Sequence, residues 1–240
     1  MIKVDSLLYK IDQRLNKLAS NDHQEIQLED KILALNEAQI KLIKLKVTGS
    51  RDMGLDSFKK RYEDLENLII PYNRYPLNLV LKNTELNEWV ADIDKLDERF
   101  MFYIDSYFIA SKGVCKNRRI NINKDLAKHG DIVLLLQNEH YKPSFEYQES
   151  FNQITDNKFT IYTDGTFIPS KVYISYLKYP LYIDKEGYIK FDGTASDNQD
   201  CELEDYLEDE LLDLTVQNLG MYTENQSAVQ TAQNRIQTNE

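Results

Sequence analysis

ELEDYLEDELLDLTVQNLG, residues 202–220, sets leucines at helical spacing among seven carboxylates, with no basic side chain in the stretch. Leu203, Leu207, Leu211, Leu214 and Leu219 recur every three to five residues, the period of one face of a helix. From Phe191 to Glu240 twelve Asp and Glu stand against one Arg, a balance of −11, whereas the first 190 residues carry 28 acids and 28 bases. The whole net charge of the chain therefore lies in its last fifth. A helix that joins an apolar stripe to so many carboxylates repels itself unless cations stand nearby or the stripe is buried. That need predicts docking, with Leu203, Leu207, Leu211 and Leu214 as an interface to a neighbouring subunit. Beyond Tyr222 the residues are mainly Gln, Asn, Ser, Thr and Ala, a polar extension with almost no stripe to bury.

Working back from this ending, the start of the chain is helical. Val4, Leu7, Leu8, Ile11, Leu15 and Leu18 trace one buried face. Asp22 and Glu25 have the spacing of a capping box, and Leu28, Ile32, Leu35, Ile40, Ile43 and Val47 mark a long second helix stopped by Thr48-Gly49. The two are expected to pack as a hairpin. A third helix is expected from Asp56 to Ile69, closed by Pro71, and a short one around Thr84–Leu96. From Glu98 to Lys190 the period is mostly two, as in Phe100, Phe102 and Ile104, and Asp164-Gly165 between alternating runs signals a hairpin. The run Ile132–Leu136 reads as a short helix begun at Asp131. The expected fold is α+β, with three parts: a helical hairpin or bundle over 1–76, a mostly antiparallel β domain over 77–190, and the acidic helix with its polar arm over 191–240.

The chemistry-bearing residue types are sparse. Three histidines, two cysteines without a CxxC pair and eight glycines without a GxGxxG or GxxxxGK pattern leave no zinc, dinucleotide or phosphate-loop motif. There is no GxSxG, and the acidic run lacks the central glycine of an EF-hand loop. No catalytic, cofactor or metal residues are assigned, and the chain is expected not to be an enzyme. The longest apolar runs are too short to span a bilayer, so no membrane partner is expected. Cys115 and Cys201 fit a reducing compartment. Basic clusters occur at Lys59-Lys60-Arg61 and at Lys112, Lys116, Arg118 and Arg119 around a Gly113 turn. In a chain with pI ≈ 4.9 the second cluster is expected to receive a neighbour's acidic helix in preference to a nucleic-acid backbone. The 16 Tyr add a vote for interfaces.

One segment carries a family resemblance. Tyr173-Ile-Ser-Tyr-Leu-Lys-Tyr-Pro180, Ile183-Asp184, Gly187-Tyr188-Ile189, Asp192-Gly193, Ser196-Asp197-Asn198 and the acidic 202–213 run resemble head-to-tail connector ring proteins of crAss-like tailed bacteriophages. Leu35-Asn-Glu-Ala-Gln39 and Lys142-Pro-Ser-Phe-Glu-Tyr147 are similar in the same way. The resemblance implies a virion structural protein at the tail vertex, assembled in the host cytoplasm. It would form a homo-oligomeric ring stacked near the portal protein and other tail ring proteins, with DNA passing through the channel without specific binding. The competing expectation is a soluble acidic binding module, such as a chaperone, an inhibitor or a DNA mimic.

Overall fold

The computed structural model describes residues 1–18, 26–48, 63–72, 76–96, 98–122, 131–190, 193–222 and 234. The chain is α+β and divides into two compact units: Met1–Leu68 with Pro180–Glu240, and Ile69–Tyr179. This division differs from the three consecutive parts expected from sequence. The acidic ending is joined to the N-terminal helices, and the β unit is an insertion between them.

In the helical unit, α1 (Val4–Leu18), α2 (Leu28–Thr48) and α4 (Glu208–Tyr222) are the long elements. Of the predicted faces, Val4, Leu7 and Ile11 of α1 and Ile32, Leu35 and Ile43 of α2 are buried, whereas Leu8, Leu15, Leu28, Ile40 and Val47 are only partly so, and Leu42, outside the predicted stripe, is buried as well. What they bury against differs from the expected hairpin. Both α1 and α2 pack chiefly on α4, and a Lys31–Asp12 ion pair at 2.6 Å also links the two. The leucine stripe is thus the centre of its own unit. Leu203, Leu207, Leu211, Leu212, Leu214, Val216 and Leu219 are all buried within the chain. Leu203, Leu207, Leu211 and Leu214, expected to dock on a neighbour, are core residues, because the N-terminal helices supply the apolar partner that the sequence segment needs. The helix runs on through Gly220 to Tyr222, and a 3-10 turn (Asp205–Leu207) precedes it.

The N-terminus completes this unit. Ile2 exchanges backbone hydrogen bonds with Cys201 (3.1 and 3.0 Å), and the Val4 N–H donates to Asp200 Oδ1 at 2.9 Å. A carboxylate from 196 residues away thereby satisfies an orphan donor at the start of α1, where negative charge also suits the helix dipole. Residues 183–190 and 193–201 are irregular and held by bridges Asp184↔Gln199 and Ile189↔Ala195. Asn36 of α2 pins the first of these stretches, donating to the Ile183 carbonyl and accepting from the Ile183 N–H, both at 2.8 Å.

The β unit consists of two sheets. In the first, β1 (Ile69–Ile70), β10 (Ile168–Lys178), β5 (Phe100–Lys112), β6 (Cys115–Ile122) and β7 (Glu149–Ser150) follow in that order, with β2 (Pro76–Asn78) also on β10. The second orders β3 (Val80–Asn83), β4 (Glu88–Asp92), β9 (Lys158–Tyr162) and β8 (Asn152–Thr155). All pairings are antiparallel except β6 with β7. The chain passes between sheets at β2–β3, β4–β5, β7–β8 and β9–β10, and both enclose one core that includes Phe108, Phe145, Phe159, Phe167, Val172 and Tyr176.

Two local expectations are corrected. Asp164-Gly165 closes no hairpin: β9 pairs β4 and β8, while β10 pairs β5, and the Asp164 carboxylate instead caps Thr166 in a turn between the sheets. The 84–96 segment is the β3–β4 hairpin followed by a 3-10 turn (Ile93–Lys95), with Asn87 at φ +49 to reverse the chain. Within the third expected helix, residue 63 is helical, residues 64–65 are a turn, Glu66–Leu68 is a 3-10 turn and Ile69–Ile70 a strand, while residues 56–62 lie outside the described residues. The short helix α3 (Ile132–Gln137) forms as expected. The Asp22/Glu25 capping box and the Lys59–Arg61 cluster lie outside the described residues, as does the arm beyond Tyr222 except Asn234.

Candidate interaction surface

The carboxylates of the acidic helix are answered from within the chain. Lys10 of α1 meets Glu208 at 2.5 Å, Arg14 meets both Asp209 and Asp213 at 2.5 Å, and Lys46 of α2 meets Glu210 at 2.8 Å. These cations come from helices of the same chain about 165 to 200 residues earlier, not from a neighbouring molecule as the charge pattern predicts. Asp213 is the most enclosed, with its side chain 4% exposed, so its pairing with Arg14 removes an otherwise prohibitive buried charge. The apolar and ionic halves of the docking requirement are met by one packing arrangement.

The second cluster behaves in the opposite way. Gly113, at φ +55, and Val114 form the two-residue loop between Lys112 and Cys115, and Val114 is left 98% exposed. β6 reads CKNRRINI, three cations and no acid. Because Ala110 pairs Arg118 and Ile109 pairs Arg119, the two arginines leave on opposite faces of the sheet. Arg118 lies over the Phe145 ring at 5.1 Å and donates to the Glu146 carbonyl at 3.3 Å, while Lys112 meets Glu146 Oε1 at 2.7 Å. The Lys112 contact outweighs the slight effect of burial and holds the Glu146 carboxyl below its ordinary value. Tyr147, next in the chain, is exposed.

On the other face, Arg119 sits over the Tyr107 ring at 3.9 Å. Tyr107 stacks on Tyr173 of β10 at 4.9 Å with the planes 9° apart, and Tyr72 meets it edge-on at 5.0 Å. The ladder follows from register: Tyr173 lies directly opposite Tyr107, and Arg119 is one position diagonal on the far strand. Burial raises the Tyr107 phenol despite the opposing Arg119 charge. Neither Arg119 nor the exposed Lys116 carries an ion pair among the described residues. The four cations named from sequence are therefore brought to one hairpin but split in role: Lys112 and Arg118 fasten the 145–148 turn, and Lys116 and Arg119 remain available. The tyrosine partners were legible only as composition, since Tyr72, Tyr107 and Tyr173 meet through strand register.

The other groups with chemical potential have structural duties. Asp184 is buried and accepts from Lys190 Nζ and the Tyr188 hydroxyl, each at 2.7 Å, and from the backbone N–H groups of Lys185 and Asp197. Burial pushes its carboxyl up, but these donors outweigh burial and hold it below the usual range. The Tyr188 hydroxyl is raised by burial and by that same carboxylate. Burial pushes the Cys201 thiol up to about 11, and Gln39 Nε2 approaches its sulfur at 3.8 Å. His140 is exposed, and His23 and His129 lie outside the described residues. No group of three or more His, Cys, Asp or Glu among the described residues is arranged to hold a metal ion. No described helix is long and apolar enough to cross a membrane. A shallow groove of about 380 Å³ lies along α2 between Glu37, Ile40, Lys41, Lys44 and Leu45.

Comparison with known proteins adds no family. No family model matches the chain, and no curated protein matches it. Function must be argued from the surface itself.

Proposed function

We propose that this chain is a structural subunit that assembles with copies of itself and, following the resemblance of its 173–213 segment, forms a ring of a phage head-to-tail connector next to the portal. The observation that carries the self-assembly is the hairpin end of the β unit. Val114 at the hairpin loop is 98% exposed, Tyr147 of the 145–148 turn is 82% exposed, and the opposite face of the hairpin carries Arg119 on its tyrosine ladder, residue types enriched at protein interfaces. α3 nearby in sequence has no buried residue, and Val133 and Leu134 are exposed on it. The leucine stripe no longer supports the proposal, because it is core. The acidic helix likewise offers no bare anionic wall to passing DNA, since Glu208, Glu210 and Asp213 are paired.

The test is the state of the purified chain by mass photometry and negative-stain microscopy over a range of concentrations. Closed rings, or association with a portal protein, are expected. A chain that stays monomeric and binds a basic protein in a salt-sensitive way would overturn the proposal in favour of an acidic binding module.

A further inference from the structure

We propose that the β5–β6 hairpin docks, through Lys116 and Arg119, on the acid-rich surface around Tyr206 of a second copy of this chain. The inference rests on the self-assembly reading above and specifies which two surfaces meet. The donor side is prepared for an acidic partner. The Arg119 guanidinium is laid flat on Tyr107, which fixes a long side chain before binding and lowers the entropy cost of using it. Lys116 and Val114, on the same hairpin, are exposed to solvent.

The acceptor side lies on the helical unit. Tyr206 is 61% exposed and donates to Asp64 Oδ1 at 2.9 Å. Burial, with help from that hydrogen bond, pushes its phenol up to about 12. Glu204 and Asp205 flank it in the chain, and Asp209 follows one helical turn later. Asp205 and Asp209 keep 81% and 77% of their side-chain surface in solvent despite their contacts with the Met1 amine and Arg14. An exposed tyrosine ringed by carboxylates complements an exposed arginine on a tyrosine ladder, and the net −11 of the chain gives like surfaces no reason to meet. The two patches differ, so the contact is head-to-tail and can close a ring.

A single-stranded nucleic acid is the weaker occupant for the hairpin. Tyr107 already gives its ring faces to Arg119 and Tyr173, so it offers no free platform for a base. A polyanion would also approach a chain of charge −11.

Sedimentation velocity on full-length protein tests this with two variants, Lys116→Glu/Arg119→Glu and Glu204→Lys/Asp205→Lys, each checked for fold by circular dichroism. Each alone is expected to weaken self-association by about tenfold or more. An equimolar mixture of the two should restore it, because each then offers the surface that the other lacks. Rings that persist in both variants would overturn this surface while leaving self-assembly standing. A wild-type chain that is monomeric at every concentration would remove both. Tight binding of a single-stranded oligonucleotide by wild type, lost in Lys116→Glu/Arg119→Glu with self-association unchanged, would reassign the hairpin to nucleic acid.

Discussion

The acidic C-terminal helix and the basic β5–β6 hairpin carry the two clearest charge signals of the chain, and they end in opposite situations. On α4 nearly every demand raised by the sequence is met inside the helical unit: the leucines are buried, and Lys10, Arg14 and Lys46 answer the carboxylates. On the hairpin the demand is left open, with Arg119 supported by a tyrosine ladder and Lys116 and Val114 in water. Charge segregated along a sequence is therefore no measure of charge exposed on the surface. A strongly acidic helix can be the most internally satisfied element, and a modest basic strand the least.

The largest effect is expected at the leucines. Replacing Leu207 and Leu211 by Asp should unfold the helical unit, since even truncation of a buried leucine to alanine costs about 2–5 kcal/mol and a buried charge adds to that. Loss of helical circular dichroism at ambient temperature is the expected result. A variant that keeps its fold but loses assembly would restore the docking role of the stripe.

Arg14→Ala comes next. It removes the Arg14 contact of Asp213, whose side chain is 4% exposed, and a loss of about 3 kcal/mol in urea denaturation is expected. Asp213→Asn in the same background should recover part of it, because the buried charge is then gone.

The Asp184 knot sharpens the comparison through pH. Its carboxyl is held below the ordinary value in the fold, so its contribution is present above the unfolded value of about 3.9 and is lost as pH falls through the folded value. Protection of the 183–190 and 193–201 amides, corrected for the intrinsic exchange rate at each pH, should be high at pH 5 and fall below about pH 4. Asp184→Asn should abolish that pH dependence. The smallest effect is expected at the rim: Lys10→Ala removes a partly exposed pair with Glu208 and should cost about 0.5 kcal/mol by thermal denaturation.

Much of the fold was legible where one element decides its own pattern. The buried faces of α1 and α2, the strand alternation of β5 and the start of α3 at Asp131 all follow from local period and local stop signals. The errors share a cause, which is partners distant in sequence. Nothing near Leu207 or Glu208 announces that Val4–Leu18 and Leu28–Thr48 will cover them, and nothing near Asp164 shows that the strands on either side belong to different sheets. The candidate surface was half legible. Its cations stand out in CKNRRINI, but the stack of Arg119, Tyr107 and Tyr173 depends on register across three strands.

The two cysteines offer a parallel readout, one in each region. Cys115 is exposed on β6, whereas Cys201 is buried with its thiol pushed up to about 11. A thiol reagent at pH 8 should label Cys115 at once and Cys201 only on unfolding.

Hydrogen exchange on the chain diluted to monomer asks the central question most directly, peptide by peptide. Protection of the 211–219 amides equal to that of α1 and α2 is expected, because the acidic helix is the core of its own unit. Rapid exchange there in the monomer, with protection gained only on association, would contradict it.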